Sequence, residues 1–362
     1  MAELMEYKCP CCGAGLTFSS ALQLMKCEYC DSEFDVETLK AYDEALKKAE
    51  EQAPDMNAAE GSDWTKDETS GLRIYSCQSC GGEVVGDETL AASACPFCGN
   101  PVIMKAQFAG DLRPDLVIPF KLDKAAAKKG FEKHLMGKRL LPKVFRTQHH
   151  IDEIKGVYVP FWLFDADIDA TMQFRATQTR VWSDVRYTYT ETKHFSVLRS
   201  GTMSYQSIPV DGSLKMDDAL MDSLEPFDMS EAVDFQTAYL SGFFADRYDV
   251  SAAQSIGRAQ GRIRATTESL LKGTATGYAT LTADSANLKS TASRSRYALL
   301  PVWLLNTTWN GQQYRFAMNG QTGKFVGNLP IDKKLRFAWF SAVAAGAAVL
   351  AYALLTACSA IM

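Results

Sequence analysis

Histidine is scarce in this sequence, four residues in 362, and two of them stand side by side at His149 and His150. That leaves few side chains that titrate near neutral pH, the commonest general acids and bases of enzymes. No Gly-x-Ser-x-Gly nucleophile turn and no His-Glu-x-x-His metalloprotease helix occurs. A phosphate loop is missing too. Gly320-Gln321-Thr322-Gly323-Lys324-Phe325 lacks the first glycine at the required spacing and the Ser/Thr after lysine. No catalytic set is therefore expected, and the chain reads as non-enzymatic. Met1–Lys8 holds no apolar run, so no secretory signal is expected. Charge is absent beyond Arg336, and the net charge of −5 gives no reason to expect a polyanionic partner.

Cysteine, by contrast, is present in a pattern. Ten cysteines in so long a chain do not make a disulfide scaffold. Eight fall into four Cys-x-x-Cys pairs: Cys9/Cys12, Cys27/Cys30, Cys77/Cys80 and Cys95/Cys98. Fourteen residues separate the first two pairs, and fourteen the last two, which marks a duplication. Zn²⁺ takes four tetrahedral thiolates at about 2.3 Å, and one Cys-x-x-Cys turn presents two of them. The intervening residues suffice for a short hairpin. Each half is too small for a core, so the metal supplies its folding energy. Two structural Zn²⁺ ions are expected, held by Cys9, Cys12, Cys27 and Cys30 and by Cys77, Cys80, Cys95 and Cys98. Four thiolates leave no open position for catalysis. Rubredoxin-like iron is the alternative metal, and a thioredoxin-like redox pair the alternative use. Cys11 lacks the x-x spacing to Cys12 and reads as a spare thiol; Cys358 lies in an apolar tail.

That tail, residues 337–362, is 26 residues without a charge. It is long enough to span about 30 Å of hydrocarbon as a helix. Lys333, Lys334 and Arg336 flank it, so the positive-inside rule places the preceding bulk in the cytoplasm. A buried core helix is the alternative.

Between the ends, 36–52 reads as an amphipathic helix and 53–71 as a polar, acidic linker in which Trp64 is available to dock. The expected domains are a ribbon at 1–35, helix and linker at 36–71, a second ribbon at 72–105, an α+β region at 110–331, and the membrane helix. In the α+β region Asp123 should cap a helix burying Ala127, Phe131 and Leu135. Residues 157–173 begin apolar and then alternate as a long strand does, 174–210 suggest one or two hairpins, and a helix runs to about Lys272. Strands follow at 275–291 and 297–309, with Asn310-Gly311 as a hairpin turn. YVPFWLF at 158–164 echoes LLPVWLL at 299–305, each after a strand-like phrase and a helix. The region is thus read as two diverged units, about 110–210 and 235–331. Asp165, Asp167 and Asp169 share one face, a polar sheet face or, less simply, a cation site.

Residues 1–70 hold 16 acidic and 6 basic side chains, a poor setting for phosphate. Nucleic acid is therefore not favoured. The later cations, Lys128-Lys129, Lys138-Arg139 and Arg258/Arg262/Arg264, equally suit anionic lipid or a solvated face. The phrases CPCCGA…KCEYCDSEF, CxxCGGE…CPFCGNP, IPFKLD and YVPFWLFDAD resemble bacterial TFIIB-type zinc-ribbon proteins, common in Firmicutes, some of which share a name with the primosomal helicase PriA. The helicase name would imply ATP-driven unwinding, which a chain without a Walker A loop does not support. The reading is an α+β membrane-anchored zinc-ribbon protein, a scaffold or adaptor with a protein partner.

Overall fold

The alternating pattern in the middle of the chain becomes strands of unusual length. The computed structural model describes residues 9–19, 24–39, 41, 63–69, 72–87, 94–107, 112–142, 145 and 154–361. The fold is mixed α+β. By contacts it divides into two units: Met1–Ala59, Trp162–Val210 and Ala252–Ser295 form the first, and Glu60–Phe161, Asp211–Ser251 and Arg296–Met362 the second.

In the first unit, β1 (Leu16–Ser19), β2 (Leu24–Cys27) and β3 (Glu33–Phe34) form a small antiparallel sheet. A helical turn at 36–39 follows, capped by Asp35, whose carboxylate accepts the Thr38 amide at 2.6 Å. The rest of the helix expected over 36–52 lies outside the described residues, as does 53–62 of the expected linker.

The same unit takes most of β8 (Lys155–Ser183), nearly all of β9 (Thr188–Asp211), and β12 (Thr280–Trp309) up to Ser295. Residues 174–210 make one hairpin, and the two strands expected at 275–291 and 297–309 are one strand that begins only at Thr280, residues 275–279 preceding it as loop. The polar run between them stays in the sheet, where β12 neighbours β8. Contacts from Thr177 to Thr280, Gln173 to Ser285 and Asp167 to Thr291 run in opposite chain directions, as antiparallel strands require. From Phe164 to Ala176 the even-numbered side chains of β8 are buried. On the other face the Asp165 carboxylate accepts the Ser207 amide at 2.7 Å, Asp167 the Ser204 hydroxyl, and Asp169 the Thr202 hydroxyl at 2.7 Å. The three aspartates are thus a cross-strand ladder tying β8 to β9. Helix α4 (Ala252–Gly273) buries Ala252, Ser255, Ala259, Ile263, Thr267 and Leu271, one stripe at helical spacing. Arg262, expected on a solvated face, donates to the Pro209 carbonyl at 2.7 Å and is half-buried.

The second unit holds α1 (Lys66–Thr69), β4 (Leu72–Ser76), β5 (Glu83–Asp87), β6 (Ile103–Gln107), β7 (Leu116–Val117), α2 (Lys124–Leu135) and α3 (Asp218–Leu224). It continues with β10 (Val233–Asp234), β11 (Phe244–Asp246), β13 (Gln312–Asn319), β14 (Phe325–Gly327) and α5 (Lys333–Ile361). The sheet order is β10-β7-β12-β8-β11-β5-β4-β6, with β13 and β14 branching from β12. β7 pairs in parallel with β12, and β11 in parallel with β8. Each short strand therefore lies against the long strand that carries the other of the two similar phrases. The central stretches 156–161 and 297–305 are buried throughout, which explains their unbroken apolar sequence.

Asp123 caps α2, accepting the Ala126 amide at 2.8 Å, and Ala127, Phe131 and Leu135 pack against Trp303, Leu305, Phe316 and Met318. The Trp303 indole donates to the Leu122 carbonyl at 2.9 Å, a core role. Asn310 and Gly311 both have positive φ, 51° and 75°, the type I′ geometry that joins β12 to β13. Trp64 docks edge-on against Phe235, with ring centroids 5.5 Å apart.

Asp246 on β11 is buried, its carboxyl accepting the Ser213 hydroxyl. Burial pushes that carboxyl up to about 8. A carboxyl raised in the folded state favours the protonated form there. Its stabilising contribution is whole below the unfolded value near 4 and is lost as pH rises to about 8. Asp246→Asn removes this titration, so the variant should gain in Tm relative to the parent as pH is raised from about 4 to 8. Thermal unfolding of the full chain in detergent at stepped pH checks this; parallel curves would refute it.

Candidate metal centres

Each Cys-x-x-Cys pair forms the same backbone knuckle. The amide of the first cysteine donates to the carbonyl five residues on: Cys9 to Ala14 at 2.7 Å, Cys27 to Ser32 at 2.9 Å, Cys77 to Gly82 at 2.9 Å and Cys95 to Asn100 at 2.7 Å. The residue after the second cysteine must then turn left-handed. It is Gly13, Gly81 and Gly99 in three knuckles, with φ of 77°, 69° and 79°, and Asp31 in the fourth, with φ of 54°. Asp31 tolerates this region better than most residues and also pairs with Lys26 at 3.3 Å.

The knuckles bring together two sets of four thiols, Cys9, Cys12, Cys27 and Cys30 in one, Cys77, Cys80, Cys95 and Cys98 in the other. Within each set the sulfurs lie within 4.8 Å of one another. The cross-pair distances are 3.6 Å for Cys9–Cys30, 3.4 Å for Cys12–Cys27, 3.5 Å for Cys77–Cys98 and 3.7 Å for Cys80–Cys95. A tetrahedron of thiolates at about 2.3 Å from a metal has edges of about 3.8 Å. A disulfide would need about 2.05 Å. The donor set thus fits a four-coordinate metal ion such as Zn²⁺. Cys11 stays outside the set, half-buried, its thiol raised by burial.

Burial also pushes the Cys9 and Cys95 thiols well up. Burial acts the same way on Cys30, but the Ser32 hydroxyl and amide outweigh it and bring that thiol down to about 7. At Cys77, burial is outweighed by the Cys80 and Ser79 amides, again to about 7. A polar side chain two residues past the last cysteine reaches its sulfur in both sets: Ser32 Oγ at 3.2 Å from Cys30, and Asn100 Nδ2 at 3.5 Å from Cys98. Such outer contacts orient metal ligands.

The two ribbons differ in their surroundings. In the first, Tyr29 at the knuckle tip is 83% exposed and Phe18 on β1 53%. In the second, the corresponding Phe97 is 2% exposed. The second knuckle is gripped along its backbone. Lys155 Nζ donates to the Ala94 carbonyl at 2.6 Å, Asn306 Nδ2 to the Pro96 carbonyl, and Arg315 Nη2 to the Phe97 carbonyl at 3.2 Å. Arg315 also donates to the Lys215 carbonyl at 2.7 Å and to Asn306 Oδ1 at 3.3 Å. On the hairpin side, Arg247 pairs with Glu83, and β5 pairs with β11. Lys155, Asn306 and Arg315 were not legible as site residues, because Asn306 and Arg315 lie more than 200 positions from the knuckle. His149 and His150 lie outside the described residues.

The chain is similar to the protein titled "Uncharacterized protein YdjG" of Bacillus subtilis (strain 168), 33% identical over 343 residues, which is 95% of each chain. No family model matches the chain, and no solved structure matches it.

Two predictions follow from the unequal settings. Cys27→Ser and Cys95→Ser should each lower the zinc content, measured by elemental analysis, from two ions to one per chain. Because the Cys95 knuckle is gripped by β12 and β13, Cys95→Ser should also lower the main calorimetric transition, as loss of a structural zinc worth about 10–16 kcal/mol would. Cys27→Ser should leave that transition in place. At Gly81 a Cβ would meet no atom within 4 Å, so Gly81→Val carries chiefly the left-handed backbone cost, at least about 1–2 kcal/mol for a β-branched residue. It should weaken zinc retention against a chromophoric chelator, whereas Asp31→Gly should not.

Proposed function

The chain belongs to the family of Bacillus subtilis YdjG, and we propose that it is a membrane-anchored, non-enzymatic zinc-ribbon protein of TFIIB-type ribbon class whose first ribbon docks a protein partner. The observation that carries this is the contrast between Phe97, 2% exposed, and Tyr29, 83% exposed, at the same knuckle position. The second ribbon buries its aromatic tip beside Gly82 of its own hairpin, and its knuckle carbonyls are held by Lys155, Asn306 and Arg315. The first presents the same device to solvent. An aromatic anchor on a rigid turn is the kind of side chain that dominates protein interfaces. The acidic balance of residues 1–70 favours a basic protein surface and disfavours nucleic acid.

The anchor is α5. Its Lys333–Tyr352 portion is long and apolar enough to cross a membrane, and none of its residues is buried in the chain. A core helix would be covered. Lys333, Lys334 and Arg336 at its start support a cytoplasmic side for the ribbons, where thiols stay reduced and available to zinc.

The test is a photo-crosslinking side chain at position 29, with a control at Met136, 75% exposed, in intact membranes of cells making the full chain. Position 29 should give a discrete protein adduct that Cys27→Ser removes. Adducts equal to those from position 136 would sink the docking role, and adducts to nucleic acid would replace it with a regulator.

A further inference from the structure

The root of α5 carries a cleft that an anchor alone does not require. One wall is the β12–β13 hairpin, with Trp309, Asn310, Gln312 and Tyr314, and the other is Pro330 to Lys334. Its volume is about 590 Å³, inside the range of small-molecule sites. Asp332 is already used: its carboxylate accepts the Lys334 amide at 2.9 Å and the Leu335 amide at 3.3 Å, and its own amide donates to the Leu140 carbonyl at 2.9 Å. Lys333 and Lys334 are exposed, and among the described residues no carboxylate forms an ion pair with either. Tyr314 donates its hydroxyl to Gln312 Oε1 at 2.9 Å, which leaves the amide N–H groups of Gln312, a residue of the cleft wall, available as donors. The bond to Leu140 also brings in a neighbouring cation, since Arg139 lies over the Trp339 ring at 5.0 Å.

We propose that this cleft binds the headgroup of an anionic phospholipid. Lys333 and Lys334 would meet the phosphodiester, Asn310 and Gln312 the polar substituent, and Trp309 and Tyr314 supply the amphipathic rings that settle at a membrane interface. The position selects a lipid over a free phosphate. Trp339 lies six residues after Lys333, about 9 Å along the helix, so the cleft opens at the level where headgroups lie when α5 is inserted. This inference rests on the reading of α5 as a membrane anchor.

The experiment uses the full zinc-loaded chain in nanodiscs of phosphatidylcholine with or without phosphatidylglycerol, and native mass spectrometry of the released protein. The parent should retain phosphatidylglycerol in preference to phosphatidylcholine. At about fivefold per removed cation, Lys333→Gln/Lys334→Gln should retain roughly 25-fold less, while Lys333→Arg/Lys334→Arg should retain it. Equal retention of both lipids, or no effect of the double glutamine variant, overturns the proposal. Displacement of the lipid by millimolar glycerol phosphate as readily as by vesicles would make the ligand a soluble phosphate and also overturn it. Flotation with vesicles on the same samples separates the premises: a chain that floats without lipid preference loses only the cleft, and a chain that does not float loses the anchor as well.

Discussion

The grip of Arg315 on the second knuckle is the contact that the second unit is built around. A metal held by four thiolates carries two net negative charges. Such a group is costly to bury unless cations and amide donors face it. Arg315 provides both a charge and a fixed fork of donors, which it divides among the Phe97 carbonyl, the Lys215 carbonyl and Asn306. Lys215 in turn pairs with Asp249 at 3.0 Å, and Lys155 covers the carbonyl of Ala94. A lysine at 315 would have a single charged head and could not bridge three acceptors in one plane. With the knuckle held, β5 lies where its backbone completes the sheet beside β11. The second thiol set and the sheet are therefore joined through the same contacts.

Where a single stretch of chain decided the outcome, the sequence was readable. Asp123 before Ala127, Phe131 and Leu135 contains both the cap and the buried stripe of α2. Asn310-Gly311 contains its own turn. The cysteine spacing contains both thiol sets, because a Cys-x-x-Cys knuckle is closed by hydrogen bonds within six residues. Distant pairing was not readable. Nothing local in the 280–309 stretch shows that it is one strand, since the backbone partner that keeps its polar run in the sheet is on β8. The echo of apolar phrases was visible, but the pairing of each short strand with the other phrase's long strand is a property of the sheet order. Arg262 illustrates the same limit: its neighbour on the helix predicted a solvated face, and its partner is a carbonyl fifty-three positions away.

The two ribbons show what a metal-built module makes possible. In a module stabilised by a core, an exposed aromatic at a tight turn is apolar surface withdrawn from the core. In a ribbon held by metal, the turn is fixed by thiolates and amide bonds, and the residue between the cysteines is free to vary. At Phe97 the ring is buried beside Gly82 of its own hairpin, and the knuckle carbonyls are held by Asn306 and Arg315. At Tyr29 the ring stands in solvent on a backbone already closed by the Cys27–Ser32 bond. A partner that buries it has little conformational entropy to remove, because the turn is set before contact. On the proposed reading, one knuckle device thus serves as a fixed joint at Phe97 and as a presented one at Tyr29, and the presented one costs the fold little because a metal ion held by the thiolates, not the aromatic, would hold the turn.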